Sequence, residues 1–276
     1  MEDGITAIEH GADAAAAVAE AAGAHADSGI HIALAAEQLG VFFGIPITNT
    51  LITSWAVILI LFVIAFFVGR SIKMIPGRVQ TLFETMISFI LDYMTEVLED
   101  AKLARKLFPL ITTLFLFIFA SNILEFTPGI GSFGLIEHTA LGEVFTPILR
   151  SVNTDLNVTL ALAIIAFVTI EVVGVATLGF VKYTKKFINF SSPLAFLVGI
   201  IELFSEVARL ISFSFRLFGN IFAGEVLILV IVSFVPYFIP VPMMLFEVFV
   251  GLIQAAIFAL LTLFFVKMAI TPVPEH

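Results

Sequence analysis

The charged residues of this chain are confined to a few places, and that confinement limits its fold more than any other feature. From Gln38 to Gly69 there is no Asp, Glu, Lys or Arg. Within that stretch, LITSWAVILILFVIAFFVG is long enough to cross about 30 Å of hydrocarbon. A second uncharged run goes from Leu107 to Leu124, and a third from about Leu156 to Val181, interrupted by Glu171. The chain is 60% hydrophobic and 13% charged. Soluble domains are about half apolar and a quarter charged. A soluble globular domain is therefore excluded, and an all-α polytopic membrane protein is predicted.

The bases set a topology. Nine of the 13 Lys and Arg residues (Arg70, Lys73, Arg78, Lys102, Arg105, Lys106, Lys182, Lys185, Lys186) flank the three runs on one side. The positive-inside rule makes that side cytoplasmic. The N-terminal tail and the loop from about Phe126 to Asp155 are then outside, and the C-terminus is cytoplasmic. That loop carries one base, Arg150. Residues 1 to 37 hold seven acids and no Lys or Arg. We read residues 1–44 as an acidic tail outside the membrane and 45–276 as one integral membrane domain. The run DAAAAVAEAAGAHA in the tail could form a short helix, because Ala leads the propensity scale. The start lacks the basic n-region of a secretory signal, so no cleavage is expected.

Six helices are predicted, at about 46–70, 76–104, 107–126, 156–185, 193–235 and 243–270. Between Pro76 and Lys106, apolar residues recur every three or four positions with acids between them. That pattern predicts an amphipathic helix at the cytoplasmic interface. The next two helices form a transmembrane hairpin. The last two, joined by a turn with Pro236, Pro240 and Pro242, exceed what a perpendicular crossing needs.

Charges inside these helices carry the functional question, since each costs about 3 kcal/mol or more at the bilayer centre. Glu202, Arg209 and Arg216 are spaced by seven residues, so they share one stripe of a helix. Glu206 and Asn220 adjoin that stripe. Glu225, nine residues past Arg216, points to the other side. Glu247 and Gln254 are seven apart and share a face that can meet Glu225. Two carboxylates in a low dielectric cannot both ionise cheaply, so such a pair should share a proton. An arginine cannot give up its proton in a protein, so Arg216 reads as a fixed barrier or counter-ion. Plainer roles stand beside these. Glu206 and Arg209 at i,i+3 fit a simple ion pair. Glu202 could face cytoplasmic water, Arg216 could pair with Glu202 or Glu206, and Glu171 could pair with a base.

Other chemistries find no support. The acidic balance, with a formal charge of −9, speaks against a nucleic-acid partner. With no cysteine, thiol catalysis and disulfides are impossible. The histidines lack ligand spacing, so no metal site is expected, nor any cofactor. There is no phosphate-binding G-x-x-x-x-G-K-[ST], so no nucleotide is expected on this chain. Two matching halves with interrupted helices, the mark of many secondary transporters, are not seen.

Residues 215–225, FRLFGNIFAGE, resemble the most characteristic motif of the a subunit of F-type ATP synthases. NILEFTPG (122–129), TDLNVTLALA (154–163) and GLIQAAIFALLT (251–262) resemble further segments of that family, in order. The match runs from about residue 45 to 270 and leaves out the acidic tail. It implies a stator subunit with no catalytic activity of its own, in an energy-transducing membrane. Its partners would be the c-ring, b-type peripheral-stalk subunits, the lipid bilayer and, indirectly, the F1 sector.

The resemblance also implies residue roles. Arg216 aligns with the stator arginine that faces the c-ring carboxylate and keeps two half-channels apart. Asn220 aligns with the asparagine beside it. Glu225 and Glu247 align with the polar pair of the outer half-channel, which in many members is one acid and one histidine. Gln254 aligns with the glutamine opposite the arginine. Asn122 and Glu125 match outer-channel positions, while Glu202 and Ser212 match positions near the cytoplasmic exit. Glu171 has no firm counterpart and enters the proton path on burial alone. The choice between H⁺ and Na⁺ is not visible in this chain.

Overall fold

The computed structural model describes residues 36–42, 45–70, 72–73, 77–125, 134–139, 142–187, 193–235 and 237–271. The acidic tail up to residue 35, with its alanine-rich run, lies outside the described residues. Among those described, the helices are α1 (Asn49–Arg70), α2 (Arg78–Leu98), α3 (Ala101–Glu125), α4 (Leu156–Leu178), α5 (Phe180–Phe187), α6 (Pro193–Phe234) and α7 (Pro240–Ile270). Five of them (α1, α3, α4, α6 and α7) are long and apolar enough to cross a membrane. The all-α polytopic architecture is therefore what the chain adopts.

Several helix boundaries differ from the predicted ones, and each has a local cause. The amphipathic helix stops at Leu98 and not near residue 104. Glu99 takes a left-handed conformation (φ 57°), and its N–H closes the last turn on the Thr95 carbonyl at 2.9 Å. Asp100 then caps α3, its Oδ1 accepting from the N–H of Lys102 (2.8 Å) and of Leu103 (3.2 Å). Lys102, Arg105 and Lys106 thus belong to the start of the spanning helix α3. The predicted 156–185 helix breaks at Gly179, whose φ of 84° suits a residue without a Cβ. It becomes α4 and the short basic α5. The last helix starts at Pro240, because proline at a helix's first turn loses no hydrogen bond. The first starts at Asn49, since Ile45–Thr48 is extended.

That extended segment, β2, pairs antiparallel with β1 (Gln38–Phe42). A second hairpin, β3 (Gly134–Thr139) with β4 (Gly142–Pro147), lies in the loop between α3 and α4. Neither hairpin was predicted. Helical periodicity is the stronger signal in a chain like this, and strands of four to six residues are too short to stand out from the apolar runs beside them.

Helix α7 packs against α3, α4 and α6, and α6 also packs against α4. Two buried clusters result. One joins Met94 and Leu98 of α2 to Leu107, Ile170, Tyr183, Leu263 and Val266. The other joins Ile118, Ala163, Ala166, Phe213, Leu217, Ile221 and Phe258. Between lipid-embedded helices the hydrophobic effect contributes little, so close packing of small and complementary side chains must hold them together. Large apolar side chains meanwhile face outward, as Phe62 (65%) and Phe204 (71%) show by their exposure. Helix α2 packs through its C-terminal half and leaves Leu82, Met86 and Phe89 uncovered.

Candidate functional site

Five of the candidate residues, Glu202, Ser212, Arg216, Asn220 and Glu225, lie along α6, and its periodicity explains their grouping. Ser205, Arg209, Ser212 and Arg216 recur at three or four residues and so line one side. With Ala208, Phe213 and, from α7, Phe265 and Met268, they enclose a cleft of about 400 Å³. Arg216 is exposed in it, and its Nη2 donates to Ser212 Oγ at 3.3 Å. Among the described residues no carboxylate lies within ion-pair distance of Arg216. The acids on and beside its stripe are engaged elsewhere. Glu202 pairs with Lys186 of α5 at 2.8 Å. Glu206 pairs with Arg209 at 2.7 Å, as the i,i+3 spacing suggested, and with Lys186 at 3.4 Å.

One turn beyond Arg216, Asn220 Nδ2 donates to Gln254 Oε1 of α7 at 2.8 Å. Glu247, two turns before Gln254, is buried on the same face. Its carboxyl lies against Gly224, the residue before Glu225, where a Cβ would collide with it. A second close approach occurs at Gly251. Asn122 of α3 donates to the Gly251 carbonyl at 2.9 Å, and a Cβ there would come within 2.8 Å of the asparagine's own Cβ.

Asn122 accepts in turn from Asn153 Nδ2 at 2.6 Å, and Ser151 Oγ donates to Glu125 at 2.7 Å. Thr154 is a side-chain hydrogen-bond partner of Glu225, and the Arg150 guanidinium acts electrostatically on both Glu125 and Glu225. The structure thus gathers Asn122, Glu125, Glu225 and Glu247 around the turn 150–155, most of which is buried. That turn is tied to α1 by Thr50 Oγ1, which donates to Asp155 at 2.8 Å, and by the Arg150 N–H, which donates to Thr53 Oγ1 at 3.1 Å.

A model described as the ATP synthase A chain matches residues 51–267. The chain belongs to the ATP synthase A chain family. Subunit a of Campylobacter jejuni strain 81-176 is 35% identical over 206 residues, covering 75% of this chain and 83% of the relative. Subunit a of Geotalea daltonii is 33% identical over 214 residues, covering 78% and 84%. A Propionigenium modestum relative named as the sodium-ion-specific subunit a is 34% identical over 236 residues, covering 84% and 78%. Together with the five long apolar helices, this makes the chain an integral membrane protein of the ATP synthase membrane sector.

Within this member of the ATP synthase A chain family, Glu171 of α4 adjoins the ion pairs around Glu206 and is away from the turn 150–155. Tyr183 of α5 donates to Glu171 Oε2 at 3.0 Å, and the charged neighbours of Glu171 are Glu206, Lys186 and Arg209. Tyr183 itself is buried, and burial with the adjacent Glu171 carboxylate pushes its phenol well above the usual range. It therefore remains a donor.

Sequence reasoning missed the turn before α4. Arg150 served there only as a topological marker, and Ser151, Asn153 and Thr154 were not singled out. The signal available was the density of polar residues in RSVNTD just before a spanning helix. Chemically, the site offers carboxyls, amides and hydroxyls that can relay protons and a cation, Arg216, without an acid partner among the described residues. Among the described residues, no group of three or more His, Asp or Glu side chains is arranged to hold a metal.

Proposed function

We propose that this chain is the stator of a rotary ATP synthase and passes protons through two half-channels to and from the c-ring. Protons enter from outside by way of Asn122, Glu125, Glu225 and Glu247. They load a c-ring carboxylate, the ring turns, and they leave through the cleft lined by Ser212 toward Glu202. A carboxylate crossing lipid must be neutral, and it ionises only where a cation stabilises it. Arg216 supplies that cation, with Asn220 and Gln254 bracing the helices one turn away. The observation that carries this function is the contrast along α6. Arg216 fronts an open cleft with no acid partner among the described residues, while Glu225 lies two and a half turns on among buried polar groups.

Under this function the chain binds no nucleotide and performs no chemistry alone. It works with the c-ring and b-type stalk subunits, and through them with F1. The tail of residues 1–44 is outside, the domain 45–276 spans the membrane, and the C-terminus is cytoplasmic. Helix α6 has 42 residues, about 63 Å, so it must cross obliquely. Glu171 contributes from the cytoplasmic side, where its neighbours are. The decisive experiment replaces Arg216 by Ala in the assembled synthase. Proton-driven ATP synthesis should be lost, and synthesis at the parental rate would overturn this function.

A further inference from the structure

We propose that Glu206 is a positioning residue that cancels the charge of Arg209 on the wall of the exit cleft, leaving Arg216 as the uncompensated cation of that cleft. This rests on the half-channel function proposed above and deepens it. Two arginines, seven residues apart on one face of α6, line the same cleft. They differ in every other respect. Arg209 is held at 2.7 Å by Glu206 and lies 4.3 Å over the Phe265 ring, itself part of the cleft wall. Its side chain is only 10% exposed. Arg216 is exposed and has Ser212 as its partner.

Glu206 does not act alone. Lys186 of α5 bridges it to Glu202, giving the chain Glu202–Lys186–Glu206–Arg209, with distances of 2.8, 3.4 and 2.7 Å. Two acids and two bases make the chain neutral. Glu171 of α4, bonded to Tyr183, stands next to it and adds a carboxyl from the third element packed there. The neutral chain crosses from α5 to α6 and ends on the cleft wall.

The chemical reason for such a device lies in the work of the cleft. A departing proton and an approaching c-ring carboxylate both respond to the local potential. A second free cation about 10 Å from Arg216 would repel the proton and offer the carboxylate another place to stop. Pairing Arg209 keeps its guanidinium as packing over Phe265 while removing its long-range field.

The test uses the intact synthase in vesicles, with proton-driven ATP synthesis read at low and high salt. Glu206→Gln should lower the rate on the order of tenfold at low salt, and high salt should restore part of it by screening the freed charge. Glu206→Asp should keep the rate within about threefold, and the double variant Glu206→Gln/Arg209→Gln should recover most of the loss. A merely structural ion pair would also be rescued in the double variant, which leaves no unpaired buried charge, but its loss in Glu206→Gln would not respond to salt. That outcome, or a parental rate in Glu206→Gln, overturns the proposal. If Glu206→Gln fails to assemble, Ser205→Lys adds a cation to the same wall with the ion-pair chain intact. It should slow synthesis in the same salt-dependent way, and a parental rate there also overturns the proposal. Arg216→Ala in the same vesicles separates the two levels. Synthesis surviving in it removes the half-channel function itself, whereas synthesis lost in it with the Glu206 arms failing removes only this inference.

Discussion

Asn220 on α6 donates a 2.8 Å hydrogen bond to Gln254 on α7, one turn past Arg216. It pins the two longest helices together beside the residue proposed to meet the c-ring. Gln254 is buried, and its Nε2 has no partner among the described residues, so Asn220 holds the end of it that is satisfied. Asn220→Ala should therefore leave a buried amide with both ends unpaired, at a cost of about 1–3 kcal/mol. Thermal denaturation of the assembled membrane sector should show the loss, together with several-fold slower ATP synthesis. An unchanged melting temperature would count against a bracing role.

At Gly224 the contact is steric. Any Cβ meets the Glu247 carboxyl, which is the end of a flexible side chain and must swing away. Gly224→Val should assemble with a penalty of about 1–3 kcal/mol, yet lower proton-driven synthesis at least tenfold by displacing the Glu247 carboxyl from its place against α6. Rates near parental would show that the neighbourhood of Glu225 and Glu247 is not on the path.

The turn before α4 depends on Thr50. Its hydroxyl donates to Asp155, whose other oxygen caps α4 by accepting from the Asn157 N–H at 2.9 Å. Thr50→Val keeps the shape but strips a buried carboxylate of a donor, so a loss of about 1–3 kcal/mol is expected. Amide hydrogen exchange should rise at the start of α4, and protection equal to the parent would refute it.

The coupling ion can be read directly. One relative is named as sodium ion specific. With protons as the coupling ion, synthesis driven by a pH gradient should run undiminished in sodium-free vesicles. A rate that needs added sodium would assign Na⁺ instead.

The spanning helices and their facing charges were legible because hydropathy and spacing act within single helices. Glu206 with Arg209, and the shared buried face of Glu247 and Gln254, follow from counting residues along α6 and α7. The helix ends were not legible. The stop at Glu99 depends on one left-handed residue and the cap from Asp100, neither of which alters the apolar pattern. Partners across helices were also hidden. Lys186 read as a topology marker, yet folding of α5 back against α6 makes it the bridge between Glu202 and Glu206. The role of Ser151 and Asn153 likewise depends on contacts with Glu125 and Asn122, about 26 and 31 residues earlier in the chain.

Helix α6 runs unbroken from Pro193 to Phe234 and carries Ser205, Arg216 and Glu225 on its single backbone. It therefore serves as a ruler. At about 1.5 Å per residue, the twenty positions from Ser205 to Glu225 measure about 30 Å, close to the thickness of the hydrocarbon itself. No loop stands between these marks to absorb an error. One residue inserted between Arg216 and Glu225 would turn everything beyond it by about 100° and lift the acid off its neighbours, while seven inserted residues would nearly restore the angle but overshoot in height by about 10 Å. The spacing of the two proposed access points is thus quantised by the helix, and only substitution, never a change of length, can tune it.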